Sequence, residues 1–171
     1  MAYSKAKTSD IDELFYRVAK EVCDSDKMRE MAHFRQHGET SCLEHSMAVA
    51  FYSLLLSEKL GIKCDRIALI RGGLLHDYYL YDWHVKENKK SHKLHGFSHP
   101  RTALENADRD YDLSERERNI ILRHMFPLVP VPPKFRESVI VSLVDKWCAV
   151  VEATKKSPYK NRTILMIAFK M

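Results

Sequence analysis

Glycine and proline are scarce in this 171-residue chain, five and six in number. An all-β sandwich needs many tight turns, and tight turns draw on both residues, so composition points to helices with few interruptions. No apolar run approaches the length needed to span a bilayer, and Met1 to Ser9 carries neither a signal peptide nor a transit peptide. Cysteine is thin as well. Cys23, Cys42, Cys64 and Cys148 stand far apart with no Cys-x-x-Cys pair, which argues against a zinc knuckle and, without a secretion signal, against a disulfide framework. A cytoplasmic chain with reduced, mostly buried thiols and no membrane contact is expected.

Charge and histidine are in better supply. Lys and Arg number 28 against 23 Asp and Glu, a formal charge of +5, and 45% of the residues are hydrophobic. That is enough apolar material for one core, so residues 1–171 are expected to form a single domain. The positive excess suits a small anionic molecule as well as nucleic acid. No nucleic-acid recognition motif is present and the bases are interspersed with acids, so nucleic acid is not an expected partner. Nine histidines stand out, because imidazole is the commonest metal ligand and titrates nearest neutrality.

Helical periodicity runs through most of the chain. Ser9-Asp10 opens an amphipathic pattern (Ile11, Leu14, Phe15, Val18), a second helix follows around Asp26 to Phe34, and Gly38 marks a break. A long helix is expected from Thr40 or Ser41 to Leu60, with Ser41 and Glu44 spaced as a capping box and Gly61 closing it. Asp65 starts the next helix, which carries Gly72 and Gly73 one turn before His76. Two glycines inside a helix cost about 1 kcal/mol each, tolerated where another helix or a ligand comes close. Ser98-His99-Pro100 reads as a helix start with proline at the first position. Further helices are expected over Ser114 to Met125 and Lys134 to Thr154, joined by the extended PLVPVPP stretch. Residues 88–96 read as a basic loop. Within the tail 159–171, the apolar run Thr163 to Phe169 reads as a packed segment or a homodimer contact. Strand alternation is absent, and the expectation is an all-α bundle of six or seven helices.

Several helices turn a histidine or aspartate inwards. His45 shares a stripe with Val49, Tyr52 and Leu56. Asp145 has apolar or small neighbours one turn before and after it, and a carboxylate there must be paired or bound to metal. His124 follows Ile120 and Ile121 by one turn. If the helices bundle, His45, His76, Asp77, His99, His124 and Asp145 converge on one point. Four imidazoles and two carboxylates exceed the needs of one tetrahedral zinc but suit two octahedral first-row ions.

The order His45, His76-Asp77, His99, His124, Asp145 resembles the signature of the HD superfamily of metal-dependent phosphohydrolases, in its two-metal variant. The flanking residues are similar too: Leu43-Glu44-His45-Ser46, Gly72-Gly73-Leu74-Leu75-His76-Asp77 and Ser142-Leu143-Val144-Asp145-Lys146. The stretch of about residues 38–152 resembles small bacterial single-domain members of undefined substrate. The resemblance implies an all-helical HD domain in which His45, His76, Asp77 and Asp145 hold one metal, His99 and His124 the other, and Asp77 bridges. The implied cofactors are two divalent first-row ions, iron or manganese first, with magnesium, nickel or zinc also compatible.

The implied reaction is hydrolysis of a phosphate ester or anhydride in a small nucleotide-like substrate, with Asp77 and Asp145 as catalytic residues and a hydroxide shared by the two ions. Lys146, Arg101, His95 and His37 are the candidate substrate contacts, and Lys86, Lys89, Lys90 and Lys93 a candidate anion-drawing lid. His33, His84 and His92 are expected at the surface. Two features depart from relatives of known substrate. Leu80 stands where many nucleotide hydrolases of the superfamily carry a phosphate-contacting lysine, and the Gly-Tyr-Pro element of the cyclic-diguanylate phosphodiesterases is missing. Two other readings stay open: a mixed-valence di-iron oxygenase, since myo-inositol oxygenase has a similar ligand order, and a non-catalytic nucleotide-binding domain.

Overall fold

The computed structural model describes residues 5–84, 95–155 and 158–159. The chain runs α1 (Lys5–Cys23), α2 (Asp26–Glu30), β1 (Arg35–His37), β2 (Thr40–Ser41), α3 (Cys42–Leu60), α4 (Arg66–Leu75), α5 (His95–Asp110), α6 (Glu115–Arg123) and α7 (Arg136–Thr154). Seven helices and one two-stranded antiparallel sheet thus make up the described residues, an all-α fold as expected. Among those residues no helix is long and apolar enough to cross a membrane.

Side chains fix the helix ends. The Ser41 hydroxyl accepts from the Glu44 amide at 3.2 Å while the Glu44 carboxylate accepts from the Ser41 amide at 2.8 Å, the expected capping box of α3. Gly61, at φ +63°, closes that helix. Asp65 caps α4 through the Ala68 amide at 3.0 Å, and Ser114 with Glu117 forms a second capping box at α6.

Helix α3 is the centre of the bundle, packed by α1, α4 and α7. It is buried on more than the one stripe read from the sequence: Leu43, Met47, Ala48, Ala50 and Leu54 are enclosed along with His45 and Val49. Phe15 of α1 meets Phe51 of α3 edge-on at 5.2 Å. The two glycines of α4 explain the close spacing. A Cβ on Gly73 would lie 2.8 Å from the Ala50 backbone of α3, and one on Gly72 would lie 2.5 Å from the Ile120 side chain of α6. Helix α3 therefore meets α4 backbone to backbone and α6 meets it through the Ile120 side chain, and His76 at the C-terminal end of α4 is delivered deep into the interior.

Several boundaries differ from expectation. The small hairpin was invisible to periodicity because strands of three and two residues are too short to alternate; it pairs Arg35 with Ser41 and His37 with Thr40. Helix α2 stops at Glu30 rather than near Phe34, since the chain must turn into this hairpin. Helix α1 begins at Lys5, upstream of Ser9, and α7 begins at Arg136 rather than Lys134. Helix α5 starts at His95, so Pro100 lies inside it and His99 in its body instead of at its start. Pro100 lacks the N–H that would reach back one turn, a local loss the helix tolerates near its N-terminus. The proposed lid with Lys86, Lys89, Lys90 and Lys93, His92 and most of the apolar tail lie outside the described residues.

Candidate metal centre

Helix ends supply two of the imidazoles and orient both in the same manner. His76 caps the C-terminus of α4 and donates from Nδ1 to the Gly73 carbonyl at 2.7 Å. His124 caps the C-terminus of α6 and donates from Nδ1 to the Ile121 carbonyl at 2.8 Å. A carbonyl can only accept, so each Nδ1 carries the proton and each Nε2 is left with a lone pair facing the centre. These carbonyls are among the orphan groups that every helix end must satisfy.

His45 arrives from the first turns of α3 and Asp145 from the middle of α7. The Asp145 Oδ1 lies 3.0 Å from His45 Nε2 and 3.7 Å from His76 Nε2, and the Asp77 Oδ2 lies 3.8 Å and 3.4 Å from the same two nitrogens. Four donor atoms thus face one small space. On the other side of Asp77, its Oδ1 lies 3.3 Å from His99 Nε2 and 3.5 Å from His124 Nε2, which are themselves 2.8 Å apart. The carboxylate of Asp77 therefore turns one oxygen to each of two donor groups. All six side chains are buried, and all six residues expected from the sequence come together.

This donor set fits divalent cations. His76 Nε2 and Asp77 Oδ1 are buried without a hydrogen-bond partner, a cost of about 1–3 kcal/mol each that a bound cation would remove. Groups with ligand spacing recur among the described residues: His45, His76 and Asp145 form one, and His76, Asp77 and His124 another. Electrostatics are strained in the same sense. Burial opposes charge on Asp77, yet His76, His99 and His124 outweigh it and hold the carboxyl far below its usual range. Burial also opposes charge on His45, but hydrogen bonds to Asp145 and Glu152 prevail and lift its pKa to about 10. Burial, reinforced by His76 and His99, pushes His124 down to about 3.

A cavity of about 670 Å³ opens onto the centre. Asp77, His99, His124 and Asp145 form its floor, and Trp83, Met125, Leu128 and Ala149 much of its wall. Of the expected substrate contacts, Lys146 and His37 line this cavity. The Lys146 ammonium donates to the His124 carbonyl at 2.7 Å and stands 4.0 Å from Asp145. Arg101 is exposed and does not line the cavity. The His95 side chain lies outside the described residues. His33 is exposed, as expected, and His84 bonds Asp82. Leu80, in the position noted for its missing lysine, adopts φ +58°, an uncommon conformation for a bulky side chain.

Sequence reading missed two residues. Gln36 of β1 donates from its amide to Asp77 Oδ2 at 2.6 Å and accepts from the Tyr79 hydroxyl; nothing in a three-residue strand marks it. Glu152 accepts from His45 Nδ1 at 2.9 Å, and here a signal existed, because Glu152 lies two turns after Asp145 on the same face of α7.

Comparison with known proteins agrees with this geometry. A model of the HD domain family matches residues 42–149. Ribonuclease Y of Pseudothermotoga lettingae is 36% identical over 116 residues, 68% of this chain and 20% of that protein. The chain thus spans about a fifth of the length of this relative. No solved structure matches.

Proposed function

Since the chain belongs to the HD domain family, we propose that it is a metal-dependent phosphohydrolase acting on a phosphate ester or anhydride of a small, nucleotide-like substrate. The observation that carries this reading is Asp77, with Oδ2 turned to His45 and His76 and Oδ1 turned to His99 and His124. In this reading His45, His76, Asp77 and Asp145 hold one divalent cation, His99 and His124 hold a second, and Asp77 joins them. A set of imidazoles and carboxylates without thiolate suits iron or manganese, with magnesium, nickel and zinc as alternatives. Two such ions supply a hydroxide near neutral pH and positive charge for the phosphoryl oxygens.

The chain's own residues do the rest. Asp77 fixes the spacing of the two sites, and the Gln36 amide holds its carboxylate plane. Asp145 lines the cavity, so it orients the attacking nucleophile as well as binding metal. Lys146 places a cation at the cavity edge, where a phosphate oxygen can take up its charge. The apolar wall of Trp83, Met125 and Leu128 excludes water from the leaving group. A second copy of the chain and a cytoplasmic setting remain part of the proposal.

The test is phosphate release from a panel of nucleotides, phosphomonoesters and short RNA, the last because the relative is named a ribonuclease, with Mn²⁺ or Fe²⁺ supplied. Turnover is expected on at least one small phosphate compound, and His76→Ala should lower it by at least about a hundredfold, about 2.7 kcal/mol on the barrier. No turnover across the panel, with oxygen consumption in its place, would overturn the reading.

A further inference from the structure

We infer that Glu152, held in turn by Tyr159, is a positioning residue that fixes which nitrogen His45 offers to metal and completes the charge of the centre. The inference rests on the metal-dependent reading above. Glu152 lies on α7, and its side chain is fully buried. Its two oxygens stand 3.0 and 2.9 Å from His45 Nδ1, while Asp145 of the same helix stands 3.0 Å from His45 Nε2. One helix therefore brackets the imidazole at both ring nitrogens. The Tyr159 hydroxyl donates to Glu152 at 2.6 Å, which holds the carboxylate in place. Glu152 is not among the residues lining the cavity, so its action on a substrate there is indirect.

Two arguments separate this role from simple packing. The first is tautomeric. Without metal, Asp145 accepts from Nε2 and Glu152 from Nδ1; a cation between His45 and Asp145 would displace the Nε2 proton while Glu152 keeps the one on Nδ1, so the Nε2 lone pair is then directed at the space shared with His76, Asp77 and Asp145. His76 and His124 achieve the same orientation with helix-end carbonyls. His45 sits near the N-terminus of α3, where no carbonyl of a preceding turn is free, so a side chain must do it. The second argument is charge. Among the described residues no Lys or Arg pairs with Glu152; the His45 imidazole does, and the charge of that ring is lost when its Nε2 takes a metal, so a bound cation must then compensate the fully buried carboxylate. Asp77, Asp145 and Glu152 together with one hydroxide match the charge of two divalent ions. The hairpin is fitted to this arrangement: a Cβ on Gly38, at φ +58°, would lie 2.8 Å from the Glu152 carbonyl oxygen.

The experiment is equilibrium dialysis of metal-free protein against Mn²⁺, comparing wild type with Glu152→Gln, Glu152→Asp and Tyr159→Phe. Glu152→Gln keeps the shape and removes the charge. It should weaken one bound ion about 10–100-fold with an unchanged circular dichroism spectrum. Glu152→Asp should recover part of that loss, and Tyr159→Phe should show a smaller one. Unchanged Mn²⁺ affinity in Glu152→Gln overturns the inference while leaving the metal centre standing. A wild type that binds no Mn²⁺ overturns the metal-dependent reading itself, and the inference with it. A measurement independent of variant folding is ¹⁵N-histidine NMR of Zn²⁺-loaded wild type. His45 should show a protonated Nδ1 and a metal-bound Nε2, and metal at Nδ1 would contradict the assignment.

Discussion

The imidazoles of the centre gain their specificity from what stands behind them. His76 and His124 are each the residue that ends a helix, and each spends its Nδ1 proton on a carbonyl that the helix leaves open. The nitrogen turned to the centre is then fixed by the backbone rather than by a rotamer alone. Lys146 is tied in a related way, bonding the His124 and Ser142 carbonyls at 2.7 and 3.1 Å. In the proposed reaction a cation at that edge would serve binding more than chemistry. Lys146→Ala is therefore expected to raise KM about tenfold, about 1.4 kcal/mol, with kcat within a few-fold of wild type. Steady-state kinetics on the best substrate of the panel would check this, and a large fall in kcat at constant KM would assign Lys146 to the reaction itself.

Elements act here by how closely they approach. Helix α4 lies against α3 and α6 only because Gly73 and Gly72 carry no side chain. Gly73→Ala places a methyl against the Ala50 backbone, which cannot yield as a flexible side chain would. A loss of about 1–3 kcal/mol in denaturant unfolding is expected. The segment after Asp77 is anchored in another way. Asp110, at the end of α5, takes the Lys27 ammonium of α2 at 2.7 Å and the Tyr78 hydroxyl at 3.2 Å. Arg109, foremost, and Lys27 hold its carboxyl below the usual range. A depressed folded-state pKa contributes stability above the unfolded value, near 3.9, which is lost as pH falls through the folded value. Asp110→Asn should therefore cost about 1 kcal/mol at neutral pH, and the gap to wild type should narrow below about pH 4. Urea denaturation at both pH values measures it, and a gap independent of pH would refute it.

Legibility followed the same division. Ser41 with Glu44, Gly61 and the glycine pair could be read because capping and close packing leave local marks. Helix α5 began a turn early because Pro100 at an expected first position lies inside a helix instead. The hairpin escaped because its few residues show no period, and Gln36 escaped with it.

At the scale of the molecule, the bundle gathers three buried carboxylates and four buried imidazoles around one point. Such a concentration of titratable groups in a low-dielectric interior is unfavourable unless cations are bound. The six side chains of the cluster were legible from their order along the chain, with His45, His124 and Asp145 also marked by inward helical faces. Glu152 shares the face of Asp145 two turns on, but its partner His45 is identified only when α3 and α7 are placed side by side. The most direct measurement of the central claim is the metal content of protein purified without chelator or an affinity-tag metal. About two first-row ions per folded chain are expected in wild type, with loss of both in Asp77→Ala. A folded wild type free of metal, or a single ion unaffected by Asp77→Ala, would contradict the bridged two-metal centre.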